Sequence, residues 1–188
     1  MSKPWLQSYP EGVPAEISID AYASVADIFD QSVCKYEDLP AYSNFGKTIT
    51  YTEVRQYTSR LGAYLTNELG LQKGTKVAVM MPNLLQYPIA LFAAIRAGLI
   101  VVNTNPLYTP RELEHQLVDS GAEAIVILAN FAATLDSVVA RTQVKKVIVT
   151  DFGDLLGFPK SAIVNFVLRR VKKMVPDYSL PGHERFTR

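Results

Sequence analysis

His115 is the residue whose type most invites a chemical role, because an imidazole titrates near neutrality and can take or give a proton. Arg111 and Asp119 stand four positions to either side, one helical turn away. A catalytic base needs a nucleophile within hydrogen-bond reach, and no serine or cysteine motif lies near it. His115 therefore reads as a structural or surface histidine, and Arg111, Glu112 and Glu114 as a solvated, charge-paired helix face. His183, close to the end, has no evident partner. With the lone Cys34 and no clustered carboxylates, these histidines make no zinc ligand set. The stretch 70–76 (GLQKGTK) has the residue types of a phosphate loop without its spacing, which demands four residues between the glycines and Lys before Ser or Thr. It reads as a helix end and a turn. The residues nominate no catalytic, cofactor-binding or metal-binding position.

A different chemistry is suggested by 161–175 (SAIVNFVLRRVKKMV). Helical spacing puts Ile163, Val164, Val167, Val171, Met174 and Val175 on one face, while Arg169, Arg170, Lys172 and Lys173 cluster in the second half with no acidic residue to offset them. Such a helix suits a membrane surface or a partner, with those four cations as the contact residues. It also suits a surface helix packed on its own domain, with cations near the negative end of the helix dipole.

The elements that must position these residues are clearest from 77 to 117. The run 77–81 (VAVMM) is apolar without alternation, as in a strand covered on both faces, and Pro82 and Asn83 end it. A helix is predicted over 88–97, closed by Gly98, with Leu91 towards the sheet. A second strand is expected at 99–103, then a loop through Pro106, then a helix with Thr109 as N-cap and Pro110 at its first position. That helix ends at Gly121, and strands follow at 124–128 (AIVIL) and 146–150 (KVIVT). Such alternation predicts an α/β fold, a layered and mostly parallel sheet with helices on both faces. No glycine-rich phosphate turn follows the first strand.

Around this unit, Ser24 is expected to cap a surface helix carrying Val25, Ile28, Phe29 and Val33. A hairpin is predicted at 41–51 with Gly46-Lys47 as its turn, and Thr52 is expected to cap a long helix ended by Gly70. An amphipathic helix is predicted over 131–140, and a glycine-containing loop over 151–159. The expected organisation is an N-terminal arm at 1–22 anchored by Trp5 and Tyr9, an α/β subdomain at 23–159, the basic amphipathic helix at 160–175, and a linker at 176–188 leading to a missing remainder.

At 188 residues with 48% hydrophobic content the chain can bury a sizeable core. A formal net charge of +1 and the absence of basic–aromatic interleaving argue against nucleic acid as a partner. One cysteine and no secretory h-region favour a reducing cytosol. The longest apolar stretch, 87–102, contains Arg96 and falls short of the roughly 20 residues a membrane span needs.

The run 80–88 (MMPNLLQYP), followed by 96–117 (RAGLIVVNTNPLYTPRELEHQL), resembles the N-terminal part of bacterial long-chain fatty-acid CoA ligases. The stretch 50–54 (TYTEV) is similar to the first core motif of the wider adenylate-forming superfamily, and 96–106 to its second. The basic segment from Val164 to Pro176 is similar to the same ligases, so the likeness covers essentially the whole chain. The resemblance implies the first subdomain of an enzyme that joins a long-chain fatty acid to ATP as an acyl-adenylate and passes it to coenzyme A. It further implies ATP, magnesium and coenzyme A for the whole ligase and none for these residues, whose catalytic motifs lie further along. Peripheral association with the inner membrane and dimerisation through N-terminal segments are implied as well. Two other readings stay open: a non-catalytic α/β module that docks through the 161–175 helix, and a flavodoxin-like nucleotide binder that the missing glycine turn disfavours.

Overall fold

The computed structural model describes residues 3–180 and 182–187, so Met1 and Ser2 of the expected arm and Pro181 and Arg188 of the expected linker lie outside the described residues. Helix α1 (Val25–Lys35) starts where Ser24 accepts a hydrogen bond from the Asp27 N–H, and it buries Phe29 and Val33 while Val25 and Ile28 stay exposed. Strands β1 (Pro40–Asn44) and β2 (Lys47–Thr50) form an antiparallel hairpin in which Asn44 pairs with Lys47. Its two-residue turn is therefore Phe45-Gly46, not the expected Gly46-Lys47. Both turn residues take positive φ, 46° and 71°, as a hairpin turn matched to strand twist requires.

Helix α2 (Tyr51–Ala63) is capped by Thr50 rather than Thr52. A capping box needs its glutamate three residues on, and Glu53 fits: Thr50 Oγ1 accepts from the Glu53 N–H at 3.2 Å and Glu53 Oε2 accepts from the Thr50 N–H at 2.9 Å. The Thr52 hydroxyl instead donates to the Glu37 carbonyl. A π-helical turn at Tyr64–Glu68 extends α2, and the chain leaves through Gly70 at φ 70°.

Next come β3 (Lys76–Met80), α3 (Gln86–Arg96), β4 (Ile100–Asn103), α4 (Pro110–Ser120), β5 (Ala124–Leu128), the short α5 (Ala132–Asp136), β6 (Lys146–Thr150), α6 (Lys160–Phe166) and β7 (Glu184–Arg185). The last five strands form one parallel sheet ordered β4-β3-β5-β6-β7. From β3 the chain steps outward to β4 and then back across β3 to β5. Right-handed crossovers in opposite directions put their helices on opposite faces of the sheet. Accordingly Val77, Val79, Ala124, Val126 and Leu128 pack with Ile89, Ala90, Ala93 and Ala94 of α3, together with α1 and α2. Ala78, Met80, Ile125, Ile127 and Val149 pack with Leu113 and Leu117 of α4 and Leu135 of α5 on the other face.

Four expected elements are placed differently. Leu91 is half-buried outside the core, and Ile89, Ala90, Ala93 and Ala94 face the sheet. The predicted helix at 131–140 is broken: Val138 leaves helical geometry at φ −127° and is fully buried, so burying that side chain wins over helix continuity. Trp5 and Tyr9 do not anchor the arm, since both are exposed and the turn Pro4–Ser8 buries nothing. The basic helix runs from Lys160 through a π-helical turn at Val167–Val171 and stops at Lys172, with Lys173 at φ 51°. Met174 and Val175 therefore lie beyond it, and its bounds of 160–175 are too long.

Candidate functional site

Parallel α/β sheets bind ligands beyond the carboxyl ends of their strands. Beyond β3 and β4 lies a crevice of about 360 Å³ lined by Met81, Asn83, Tyr87, Asn103, Thr104 and Asn105, among others. The Tyr87 hydroxyl donates to Asn103 Oδ1 at 2.9 Å, Gln116 donates to the Asn103 carbonyl at 3.0 Å, and Asn44 donates to the Asn83 carbonyl at 3.1 Å. These bonds fix the crevice walls. Amides and hydroxyls can orient a ligand, but among the described residues the lining has no carboxylate, imidazole or amine to move a proton at neutral pH or hold a hard cation.

Beyond β6 the sheet ends in a polar hub that sequence reasoning missed. Buried Gln86 of α3 donates to Thr150 Oγ1 at 3.2 Å and to the Asp151 carbonyl at 3.0 Å. The Asp151 carboxylate, 15% exposed, accepts from Arg169 at 2.5 Å and from Arg185 of β7 at 3.0 Å. Asp154 accepts from the Asp151 N–H at 2.8 Å, from the Thr150 hydroxyl at 3.0 Å and from Asn165 Nδ2 at 3.2 Å. Burial pushes the Asp154 carboxyl above the ordinary aspartate range against the pull of those bonds. For Arg169, burial disfavours the charge, yet bonds to Asp151 and Tyr178 more than offset it. The hub thus clamps α6 and β7 to the end of β6.

The clamp also sets the orientation of α6. Asn165 and Arg169, one turn apart, face inward, and Asn165 Oδ1 accepts from the Gly153 N–H at 2.7 Å. Only glycine fits at 153, because a Cβ there would sit 2.7 Å from Asn165 Oδ1 and 2.9 Å from the Ser161 carbonyl. Ile163, Phe166 and Val171 point to solvent instead. Of the four expected contact cations, Arg169 is turned inward onto Asp151, and Arg170, Lys172 and Lys173 are exposed. The expectation that nothing acidic offsets the cluster fails for Arg169, since its partner comes from the loop before the helix.

His115 is exposed on α4, where Glu112 closes the Thr109 capping box and Glu114 pairs with Arg141 at 2.7 Å. Those bonds hold both carboxyls below the ordinary glutamate range. His183 does have partners: its Nδ1 lies 2.7 Å from the Leu180 carbonyl, and its ring packs edge-on to Tyr178. Among the described residues no three His, Cys, Asp or Glu side chains group as metal ligands. No described helix is long and apolar enough to cross a membrane.

The layers and the strand order define a parallel α/β sheet with a polar crevice beyond the carboxyl ends of its strands. Residues 29–173 match the AMP-binding enzyme family, and the chain belongs to it. It is 56% identical over 181 residues, 96% of its length, to a long-chain-fatty-acid–CoA ligase of Escherichia coli O6:H1. A ligase of the same description from Bacillus subtilis is 36% identical over 86% of the chain. The chain spans about a third of the length of such relatives, 32% of the first and 28% of the second. Among solved structures, a long-chain-fatty-acid-CoA ligase from Archaeoglobus fulgidus superposes with a TM-score of 0.61 at 27% identity, over 74% of this chain and 29% of that one.

Proposed function

We propose that this chain forms the amino-terminal α/β part of an AMP-forming long-chain fatty-acid CoA ligase. The observation that carries this reading is 56% identity along 96% of the chain to a protein of that description. The whole enzyme would use ATP, magnesium and coenzyme A on a long-chain fatty acid. Among the described residues, the lining of the crevice beyond β3 and β4 does not itself fit a magnesium–nucleotide site, because it offers no carboxylate ligand and no lysine. Their part is positional: they build the sheet whose carboxyl ends face the crevice and hold its walls by hydrogen bonds. The same reading includes a cytosolic protein that touches the inner membrane at its surface, and a homodimer made through the amino-terminal arm.

Adenylation develops negative charge on a phosphate and needs positioned N–H donors, a lysine and a cation. Loss of one such donor typically costs about 10²- to 10³-fold in rate. The 188-residue chain alone is therefore expected to release no pyrophosphate from ATP and a long-chain fatty acid, while a protein that continues this sequence to the relatives' length does. The two are assayed side by side. Fatty-acid-dependent release by the short chain would place the chemistry within it, and none from the long protein would remove the ligase reading.

A further inference from the structure

Helix α6 splits its apolar residues: Val164, Val167 and Leu168 are half-buried, while others face solvent. Its inward face carries Asn165 and Arg169, both bonded to the Asp151–Asp154 loop, and its outward face carries Ile163 and Phe166, 58% and 61% exposed. Phe158, in the turn leading into the helix, is 91% exposed. From 158 to 175 there are five cations and no Asp or Glu. Two of the five are engaged by the protein, Lys160 with the Phe45 carbonyl and Arg169 with Asp151. The other three, Arg170, Lys172 and Lys173, are exposed. Arg170 follows Ile163 and Phe166 at the spacing that keeps one face of a helix, so a cation continues the apolar outward stripe.

We infer that this face, with Phe158, Ile163 and Phe166 as the inserted groups and Arg170, Lys172 and Lys173 as the headgroup contacts, docks on an anionic lipid bilayer. Membrane contact is part of the functional reading above, and this face is a refinement of it that does not depend on the ligase chemistry. Three observations favour a bilayer over a protein or a nucleic acid. The aromatic groups protrude, Phe158 and Phe166 being well exposed, which suits insertion rather than capture of a peptide in a groove. Apolar groups beside cations match the boundary between acyl chains and anionic headgroups. The whole chain has a formal charge of only +1, so a segment with five cations and no Asp or Glu stands out locally from its overall balance. The Asp151 and Asp154 hub makes this possible, because bonds to Asn165 and Arg169 fix the rotation of the helix that leaves Ile163 and Phe166 exposed.

The test is co-sedimentation of the purified 188-residue chain with vesicles of phosphatidylcholine alone and of phosphatidylcholine with phosphatidylglycerol, far-UV circular dichroism confirming the fold of each variant. Binding to the phosphatidylglycerol vesicles is expected, weakening with salt. Neutralising Arg170, Lys172 and Lys173 to Gln should lower the partition coefficient about fivefold per cation, on the order of a hundredfold for all three. Arg169→Gln should lower it less than Arg170→Gln does, since Arg169 faces Asp151. Phe158→Ser with Phe166→Ser should lower binding by at least about tenfold while leaving the salt dependence in place. Equal binding to both vesicle types overturns the inference. So does a natively folded chain that binds neither, which would leave the face to a protein partner. Loss of binding on neutralisation with no effect of the two serines also overturns it, leaving a polyanion contact without insertion. None of these outcomes bears on pyrophosphate release.

Discussion

The unit from β3 to β5 and the segment from Asp151 to Lys172 are built on opposite plans. In the first, local signals and burial largely agree: the apolar runs of β3 and β5 form strands covered on both faces, though edge strand β4 is only half-buried, Thr109 and Glu112 close a capping box, and Gly98 and Gly121 leave their helices at φ 74° and 67°. In the second, a helix with the composition of an amphipathic surface element is held through Asn165 and Arg169 and leaves Ile163, Phe166 and Val171 of its apolar residues exposed, with Val164, Val167 and Leu168 half-buried. Hydropathy therefore reports where a side chain would gain by burial, and it reports where the side chain lies only if nothing else fixes the element. Charge-assisted hydrogen bonds to a poorly exposed carboxylate, each about 1.5–3 kcal/mol, are strong enough to decide for a short helix.

Ala93 is fully buried where α3 meets the sheet, so Ala93→Asp forces an unpaired charge into the core and should cost upwards of about 3 kcal/mol, enough to unfold a marginal domain. Leu91→Asp, half-buried outside that core, should cost much less. Urea unfolding of the two variants side by side checks this, and equal loss from both would mean that α3 is rotated from the position described.

Gly153→Ala probes the second plan. A methyl group 2.7 Å from Asn165 Oδ1 must push α6 off the hub, at about 1–3 kcal/mol. Limited proteolysis should then cut within 153–172 while the core from β3 to β6 stays protected. Protection unchanged at both places would show that the polar clamp does not hold the helix. Thr109→Ala should be milder, about 1 kcal/mol in thermal or urea unfolding, because it removes one cap from a helix whose Leu113 and Leu117 remain packed. A loss as large as that of Ala93→Asp would mean the cap, and not the core, sustains α4.

The smallest effect is a pH slope. Burial raises the Asp154 carboxyl above its ordinary 3.8, so the fold favours the protonated form. Stability from that group is fully present below the unfolded value and is lost as pH rises through the raised folded value. Asp154→Asn cannot titrate, so its stability relative to the parent should improve on going from about pH 4 to pH 7, whatever its constant offset. Urea unfolding across that range measures the difference. A relative stability that falls with rising pH would reverse the sign of the shift.

What the sequence determined by itself was whatever rests on neighbours in the chain. Strands 124–128 and 146–150 match residue for residue, and the Thr109 cap and the Gly70 and Gly121 exits are as expected, because apolar runs, side-chain caps and left-handed glycines act within a few residues. The family was legible too, in the runs 80–88 and 96–117. Tertiary structure alone decided the rest. Strand β7 is two polar residues with no strand signal of their own, which exist as a strand because they pair with Ile148 and Val149 of β6. Which residues of each covered strand face α3 and which face α4 could not be read from runs apolar on both sides; the direction of the crossovers settles it. The rotation of α6 that exposes Ile163 and Phe166 depends on Asp151, Asp154 and Gly153, residues outside the helix whose effect appears only when the chain folds back and brings Asn165 and Arg169 onto them.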